Sequence, residues 1–118
     1  MKSKIQLLES EITTRGSLVR LSDELDRNYA HLVGIAMLDT ISPSHEFRSS
    51  TIEGREVFPK NFEVAFLQSS HHVSPKDRFF PLREQAGGNR IEIEFQDRSP
   101  EVSFSPYTLK IYLLLHEG

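Results

Sequence analysis

Five histidines are the residues of this 118-residue chain whose chemistry is most specific. His71 and His72 are adjacent, and neighbours on a strand point to opposite faces, so they can share one ion only on a bent loop. A cupin-type centre needs two histidines one residue apart, then a carboxylate and a later histidine, and His45 does not complete that pattern. His31 and His116 are scattered in the sequence and do not complete it either. A cupin-like metalloprotein using His45, His71 and His72 is therefore the third-ranked hypothesis, and we expect no metal or cofactor.

Glu92 and Glu94 are the second candidate for chemistry, because paired carboxylates can act as acid and base or hydrolyse glycosides. They alternate with apolar residues over Ile91–Phe95, which predicts a strand with both glutamates on its solvated face. A solvated strand face accounts for two glutamates at this spacing without any catalytic role. The chain has no cysteine and no Gly-x-Ser-x-Gly elbow, and Gly87-Gly88 lacks the Lys-Ser/Thr partner of a phosphate loop. We expect no catalytic residues and a protein that is not an enzyme.

Composition narrows the class of protein further. The formal net charge is −3, with both signs spread along the chain, which argues against a nucleic-acid surface. No apolar run is long enough for a signal peptide or a membrane helix, so we expect a soluble, cytoplasmic or particle-associated protein without membrane contact. The length fits one domain over residues 1–118.

The C-terminal segment Tyr107–Gly118 is the most informative stretch for the fold. Its apolar residues recur at every second position, which predicts a strand with one buried face. Leu114 breaks that alternation. Both faces near the C-terminal end should therefore be covered, by a second sheet, another segment or another subunit.

Similar alternation or apolar runs predict further strands. The predicted extended segments are 4–13, 17–21, 31–38, 46–52, 55–58, 62–67, 91–95 and 102–104. The first of these also suits a short helix, although the turn signal in 13–17 favours two strands that could pair as a hairpin.

Residues 22–38 allow two interpretations. Ser22-Asp23-Glu24 has the residue types of a helix start, and the apolar residues that follow could form one long helical stripe. The favoured interpretation is one helical turn to about Asn28 and then a buried strand over 31–38, because Gly34 is costly at the centre of a helix.

Residues 68–90 are predicted to be the longest irregular stretch. Ser74-Pro75 can begin a short helical turn there, and Phe79, Phe80 and Leu82 should pin the segment to the body. With this loop, the strands predict an all-β protein: an antiparallel two-sheet β-sandwich, jelly-roll or Greek-key-like, with one or two short helical turns.

The favoured function is a non-enzymatic structural or interaction protein that self-associates or joins a larger particle, for instance a phage- or virion-type component. The candidate interaction surface consists of Val73, Phe79, Phe80, Tyr112 and Leu114. The alternative is a ligand- or carbohydrate-binding sandwich that would use an exposed tyrosine. The candidates for that role are Tyr29, Tyr107 and Tyr112, and the absence of tryptophan weakens it.

Overall fold

The computed structural model describes residues 2–70, 72–100, 102 and 104–117, and almost all of its regular structure is extended. Short 3₁₀ turns interrupt the strands at Val64–Phe66 and Pro75–Asp77. The strands within the described residues are β1 (Ser3–Ile12), β2 (Leu18–Glu24), β3 (His31–Leu38), β4 (Glu46–Ile52), β5 (Arg55–Glu56), β6 (Phe62–Glu63), β7 (Gln68–Ser69), β8 (Phe80–Gln85), β9 (Arg90–Gln96) and β10 (Tyr107–His116).

The strands form two five-stranded sheets that pack face to face. Sheet A has the order β1-β10-β3, and the far edge of β3 pairs with both β8 and β7. Sheet B has the order β2-β9-β4, and the far edge of β4 pairs with both β5 and β6. All pairings are antiparallel except the short one between β3 and β7. The chain changes sheet at each step from β1 to β4 and again from β8 to β10, which gives the strand order of a jelly roll. The predicted antiparallel two-sheet sandwich is confirmed.

The core lies between the sheets, and β10 supplies its central stripe. Leu109, Ile111, Leu113 and Leu115 are fully buried, so the alternation in the C-terminal segment marks the inner face of sheet A. The side chains that meet them from sheet B include Leu21, Phe47, Ile52, Ile91, Ile93 and Phe95. Burial of two such faces against each other is the main stabilising contribution in a sandwich.

The predicted strand over 62–67 is wrong beyond Glu63. A 3₁₀ turn over Val64–Phe66 follows, because the chain must leave sheet B at β6 and reach sheet A at β7. The turn buries residues three positions apart, Val64 and Leu67, while Phe66 is 65% exposed. The alternation of Phe62, Val64 and Phe66 therefore does not define one face.

The helical turn predicted after Ser22 is also wrong. Strand β2 continues to Glu24, which pairs with Arg90 of β9, and the next amide, that of Leu25, donates to the carbonyl of Asn89. The pairing with β9 outweighs the helix-start residue types, as tertiary contacts often do. The strand predicted over 31–38 is confirmed as β3.

The two N-terminal segments are strands, as predicted, but they do not pair as a hairpin. Strand β1 pairs with β10 in sheet A, and β2 pairs with β9 in sheet B. The turn between them is a corner that carries the chain from one sheet to the other. Away from this corner, Gln6 in the middle of β1 joins the two edges, because its side chain contacts both Asp23 near the end of β2 and the backbone amide of Asp26.

The predicted irregular stretch 68–90 contains more structure than expected. Strands β7 and β8 lie within it, and both pair with β3, whereas the short turn starting at Pro75 is confirmed. Nearby, the extended segment predicted over 55–58 pairs only at β5. In the predicted segment 102–104, Val102 lies in a turn, and Ser103 lies outside the described residues.

Candidate interaction face and buried polar cluster

The outer face of sheet A carries a row of apolar side chains that the core does not use. Across β1 and β10, Ile5 is directly opposite Leu114, and Leu7 is directly opposite Tyr112. Ile5 is 55% exposed and Leu7 39% exposed. Strand β3 continues the rows, since Gly34 and Ala36 pair with Leu114 and Tyr112. We call this surface the apolar face, and its members are Ile5, Leu7, Ala36, Leu38, Phe79, Tyr112 and Leu114.

Phe79 covers the centre of β3 because the strand has a glycine there. A Cβ atom on Gly34 would lie 2.8 Å from the Cβ of Phe79. A glycine inside a strand often marks such a close approach. The segment that carries Phe79 is fastened by the Arg78 side chain, whose Nε donates to the carbonyl of Val73 at 2.8 Å.

A groove runs over the apolar face. One part, of about 190 Å³, lies between Ile5 and Tyr112 on the sheet and Pro75 and Phe79 in the connecting segment. A second part, of about 280 Å³, shares Leu38 and Tyr112 with the first and extends towards polar residues. Those polar residues are Thr40, Thr108 and Lys110. The face is therefore an apolar trough with a polar end.

The structure brings together three of the residues in the predicted interaction surface. Phe79, Tyr112 and Leu114 lie on the apolar face. Phe80 points the other way and makes an edge contact with the buried Phe58, with ring centroids 5.8 Å apart. Val73 lies half-buried in the connecting segment.

Sequence reasoning missed Ile5 and Leu7 as members of this surface. The adjacent leucines at positions 7 and 8 carry the one available signal, because successive strand residues face opposite sides and both here are apolar. Leu8 is the buried member of that pair, and Leu7 is the outer one.

The outer face of sheet B is charged instead. Arg20 lies between Glu92 and Glu94, with N–O distances of 3.9 and 4.0 Å, and Ser49 donates to Glu94 at 2.7 Å. Both glutamates therefore have partners on a polar surface. Such exposed ion pairs contribute little to stability.

A buried polar cluster closes one end of the sandwich, and no motif in the amino-acid sequence indicates it. We use this name for His45, Asp97, Ser99 and Tyr107. The Tyr107 hydroxyl donates to Asp97 at 2.6 Å, and the Ser99 hydroxyl does so at 2.8 Å. The backbone amides of Gly16 and Ser99 donate to the other carboxylate oxygen. The cluster thereby joins the β1–β2 corner to the segment between β9 and β10.

The electrostatics of the cluster follow from burial and these donors. Burial lowers the pKa of the His45 imidazole against the opposing pull of Asp97. Burial alone would raise the pKa of Asp97, but its hydrogen bonds hold it below the ordinary value. Burial, with the bond to that carboxylate, raises the pKa of Tyr107 well above its usual range. The cluster therefore holds a neutral imidazole, a carboxylate and a neutral phenol.

The hydrogen bonds of this cluster hold separate segments of the chain together and do not have the pattern of a catalytic triad. The His45 Nδ1 atom accepts a hydrogen bond from the Arg98 amide at 2.9 Å, so its proton lies on Nε2. Ser99 donates to Asp97 and not to the imidazole. A catalytic triad requires the base to bond the nucleophile and the acid to bond the base.

The other predicted ligands are not brought together. His72 is exposed in a turn, His45 is buried in the polar cluster, and His71 lies outside the described residues. The described residues contain no group of three or more histidine, cysteine, aspartate or glutamate side chains placed to hold a metal.

The candidate carbohydrate-binding tyrosines are also dispersed. The Tyr107 hydroxyl is bonded within the buried cluster, and Tyr112 lies on the apolar face. Tyr29 is half-buried, with the Lys4 ammonium 6.0 Å from its ring centre.

Comparison of the chain with known protein families, with curated proteins and with solved structures finds no match. No helix in the described part of the chain is long and apolar enough to cross a membrane.

Proposed function

We propose that this protein is a non-enzymatic interaction protein that assembles with a second copy of itself through the apolar face. The observation that supports this most directly is the pair of cross-strand rows Ile5–Leu114 and Leu7–Tyr112 on an outer surface. Exposed apolar residues scattered singly need no explanation, whereas a contiguous patch on a sheet is typical of an interaction site.

Burial of these side chains is a sufficient driving force. Removing an exposed leucine or isoleucine from water contributes up to about 1.5–3 kcal/mol. Because a two-fold interface uses the same patch on both copies, each such side chain contributes twice. Association must overcome about 4–15 kcal/mol of lost translational and rotational freedom, so the rows on two copies suit a weak dimer.

A larger particle is the more specific version of the same proposal. Jelly rolls occur in viral capsid and lectin domains, and a phage- or virion-type component would bury the apolar face against neighbouring subunits. Support for this version comes from the fold alone.

Sedimentation velocity on tag-free protein tests the proposal. We expect the mean mass to rise above 13.6 kDa as the concentration approaches about 1 mM, where binding of about 4 kcal/mol becomes visible. Leu114→Asp should remain monomeric, because it would place an unpaired carboxylate in the interface. The matched control is Ser22→Asp on the outer face of sheet B, where aspartate can still accept from Arg90.

Two results would count against assembly through this face. One is a wild-type protein that stays monomeric over the whole concentration range. The other is an equal loss of association in Leu114→Asp and Ser22→Asp, since that would reflect net charge and not the patch.

A polar groove on sheet B favours the ligand-binding alternative. It has a volume of about 450 Å³, and its lining includes Arg48, Lys60, Asn61 and Arg98. Arg48 lies at a β-bulge, and its carbonyl accepts from the amide of Asn61, which has a positive φ of 61°. Bulges often redirect side chains at binding sites. A screen of acidic and neutral oligosaccharides, with Lys60→Glu as the variant, tests this alternative, and no binding to either class would remove it.

A further inference from the structure

The structure places two histidines side by side that are remote in the sequence. His31 begins β3 and His116 ends β10, and the two residues are directly opposite in the antiparallel pairing. Residues in such a pair have Cβ atoms about 4.5–5.5 Å apart and point to the same face. The next residues along the two strands, Leu32 and Leu115, are buried, so both imidazoles lie on the outer face of sheet A.

The histidine pair borders the apolar face. His116 is followed inward along β10 by Leu114, the next residue on the same side of the strand. Ser3 and Gln85 occupy the flanking positions on β1 and β8, so the row is polar from edge to edge. Among the described residues, no side-chain hydrogen bond engages either imidazole. Both rings are therefore available as ligands.

We infer that His31 and His116 bind a divalent transition-metal ion such as Zn²⁺, and that a second copy of the chain completes the coordination. Two imidazoles on directly opposite strand positions can both reach one ion at the usual Zn–N distance of about 2.0–2.1 Å. Neutral imidazole is a preferred ligand of zinc, copper and nickel. Within the described residues the chain supplies no third metal-binding side chain at this place.

Symmetry supplies the missing ligands. This step rests on the proposed dimerisation through the apolar face. A two-fold axis between the copies that runs along β3 and β10 places each cross-strand row opposite the same row of the second copy. When the axis lies between β10 and β3, the two histidine pairs face each other. Leu114 of each copy then meets Phe79, which covers Gly34, in the other copy. Four imidazoles give a complete tetrahedral zinc site.

Metal binding and dimerisation are then coupled. If Zn²⁺ tightens the dimer by a given factor, the dimer tightens Zn²⁺ binding by the same factor. We expect that factor to be about tenfold or more, which is a usual size for such coupling.

The test combines sedimentation velocity with calorimetric titration of ZnCl₂ into tag-free protein, with and without EDTA. The site variants are His31→Thr and His116→Thr, since threonine suits a strand and is a poor zinc ligand. The control is His72→Thr, which removes another exposed histidine. We expect one zinc ion per two chains and a dimer dissociation constant lowered about tenfold by zinc. Both site variants should lose these effects and the control should keep them.

The outcomes separate this inference from the proposed function. One zinc ion per chain with no change in dimerisation would overturn the bridging site, and so would equal zinc binding by wild-type and His31→Thr protein. A dimer that ZnCl₂ does not tighten, and that is lost in Leu114→Asp but kept in the two histidine variants, would keep the proposed function while the metal inference fails. A monomer under both conditions would overturn both.

Discussion

The buried polar cluster and the apolar face differ in whether their side chains find partners within the chain. In the cluster, Asp97 accepts four hydrogen bonds, and no buried side-chain nitrogen or oxygen in the described residues lacks a partner. On the apolar face, Ile5 and Leu7 remain partly exposed although apolar contacts would stabilise them. Polar groups whose hydrogen bonds are all made within the chain indicate a role in stability, whereas exposed apolar side chains without contacts indicate a role in binding. Substitutions in the two regions should therefore affect different measurements.

The largest effect on stability is expected for Asp97→Asn. The amide has one acceptor oxygen where the carboxylate has two, and its NH₂ group would face the donors of the cluster. Loss of charge-assisted hydrogen bonds should lower the free energy of unfolding by about 2–4 kcal/mol in urea titrations. Self-association under native conditions should not change. A loss below about 0.5 kcal/mol would contradict a stabilising role of the buried polar cluster, since that is the range of an ordinary surface substitution.

A smaller loss of stability is expected for a substitution at Gly34, the position on the apolar face that Phe79 covers. Gly34→Ala should lower the free energy of unfolding by about 1–3 kcal/mol, because the new methyl group would collide with Phe79. In a Phe79→Gly background the colliding Cβ is absent, so the same substitution should cost less. Equal costs in the two backgrounds would show that Phe79 does not lie on Gly34. Thermal or urea unfolding of the four proteins measures this coupling.

Lowering the pH should reduce the free energy of unfolding through the buried polar cluster and not through the apolar face. The effect should be smaller than that of either substitution above. Burial lowers the pKa of His45 below its ordinary value of 6.5, so the unfolded chain takes up that proton first. The stability that the neutral imidazole contributes is present above pH 6.5 and is lost as the pH falls towards the folded-state pKa. The lowered pKa of Asp97 has the same sign but acts only below its ordinary value of 3.8.

The variant His45→Asn isolates the first of these transitions. Asparagine can keep an acceptor for the Arg98 amide but does not titrate. We expect the decline in unfolding free energy just below pH 6.5 to be reduced in this variant. An unchanged pH profile in urea titrations would assign the acid sensitivity to other groups.

The smallest change in stability is expected for Leu114→Asp in the monomer. Leu114 is half-buried on the outer face and lies outside the core, so its replacement should alter the free energy of unfolding by less than about 1 kcal/mol. The same variant should abolish association, which is the reverse of the result for Asp97→Asn. A large loss of stability would mean that the apolar face is part of the folded core and that the comparison between the two regions fails.

Much of the fold was predictable because the two-residue period is a local property. The strands β3, β4, β9 and β10 follow from apolar runs and alternation, and the two-sheet sandwich follows from many short strands without regular helices. In the segment 62–67, alternation alone predicts the wrong structure. Its alternation is clear, yet the change of sheet after Glu63 requires a 3₁₀ turn that buries every third residue.

The candidate sites were less predictable because they join distant residues. Tyr112 and Leu114 could be selected because they lie off the buried face of the C-terminal strand, and Phe79 because it is apolar within a predicted loop. Leu7 had a weak signal in the leucine pair 7–8, but Ile5 could be assigned to this surface only once β1 was placed beside β10. The polar cluster has no signal in the sequence, because nothing in the local residue types at Asp97 and Tyr107 indicates a contact. The fold brings them together, and Asp97 then accepts from the Tyr107 hydroxyl and from the Gly16 amide.

Alternation along each strand is visible in the amino-acid sequence, and it already indicates the buried stripe of β10 from Leu109 to Leu115. Strand neighbours are known from the fold alone: β1 and β2 lie in different sheets, and His31 is opposite His116. The two differ because alternation follows from the backbone of one strand, whereas pairing depends on long-range contacts that all strands must satisfy together.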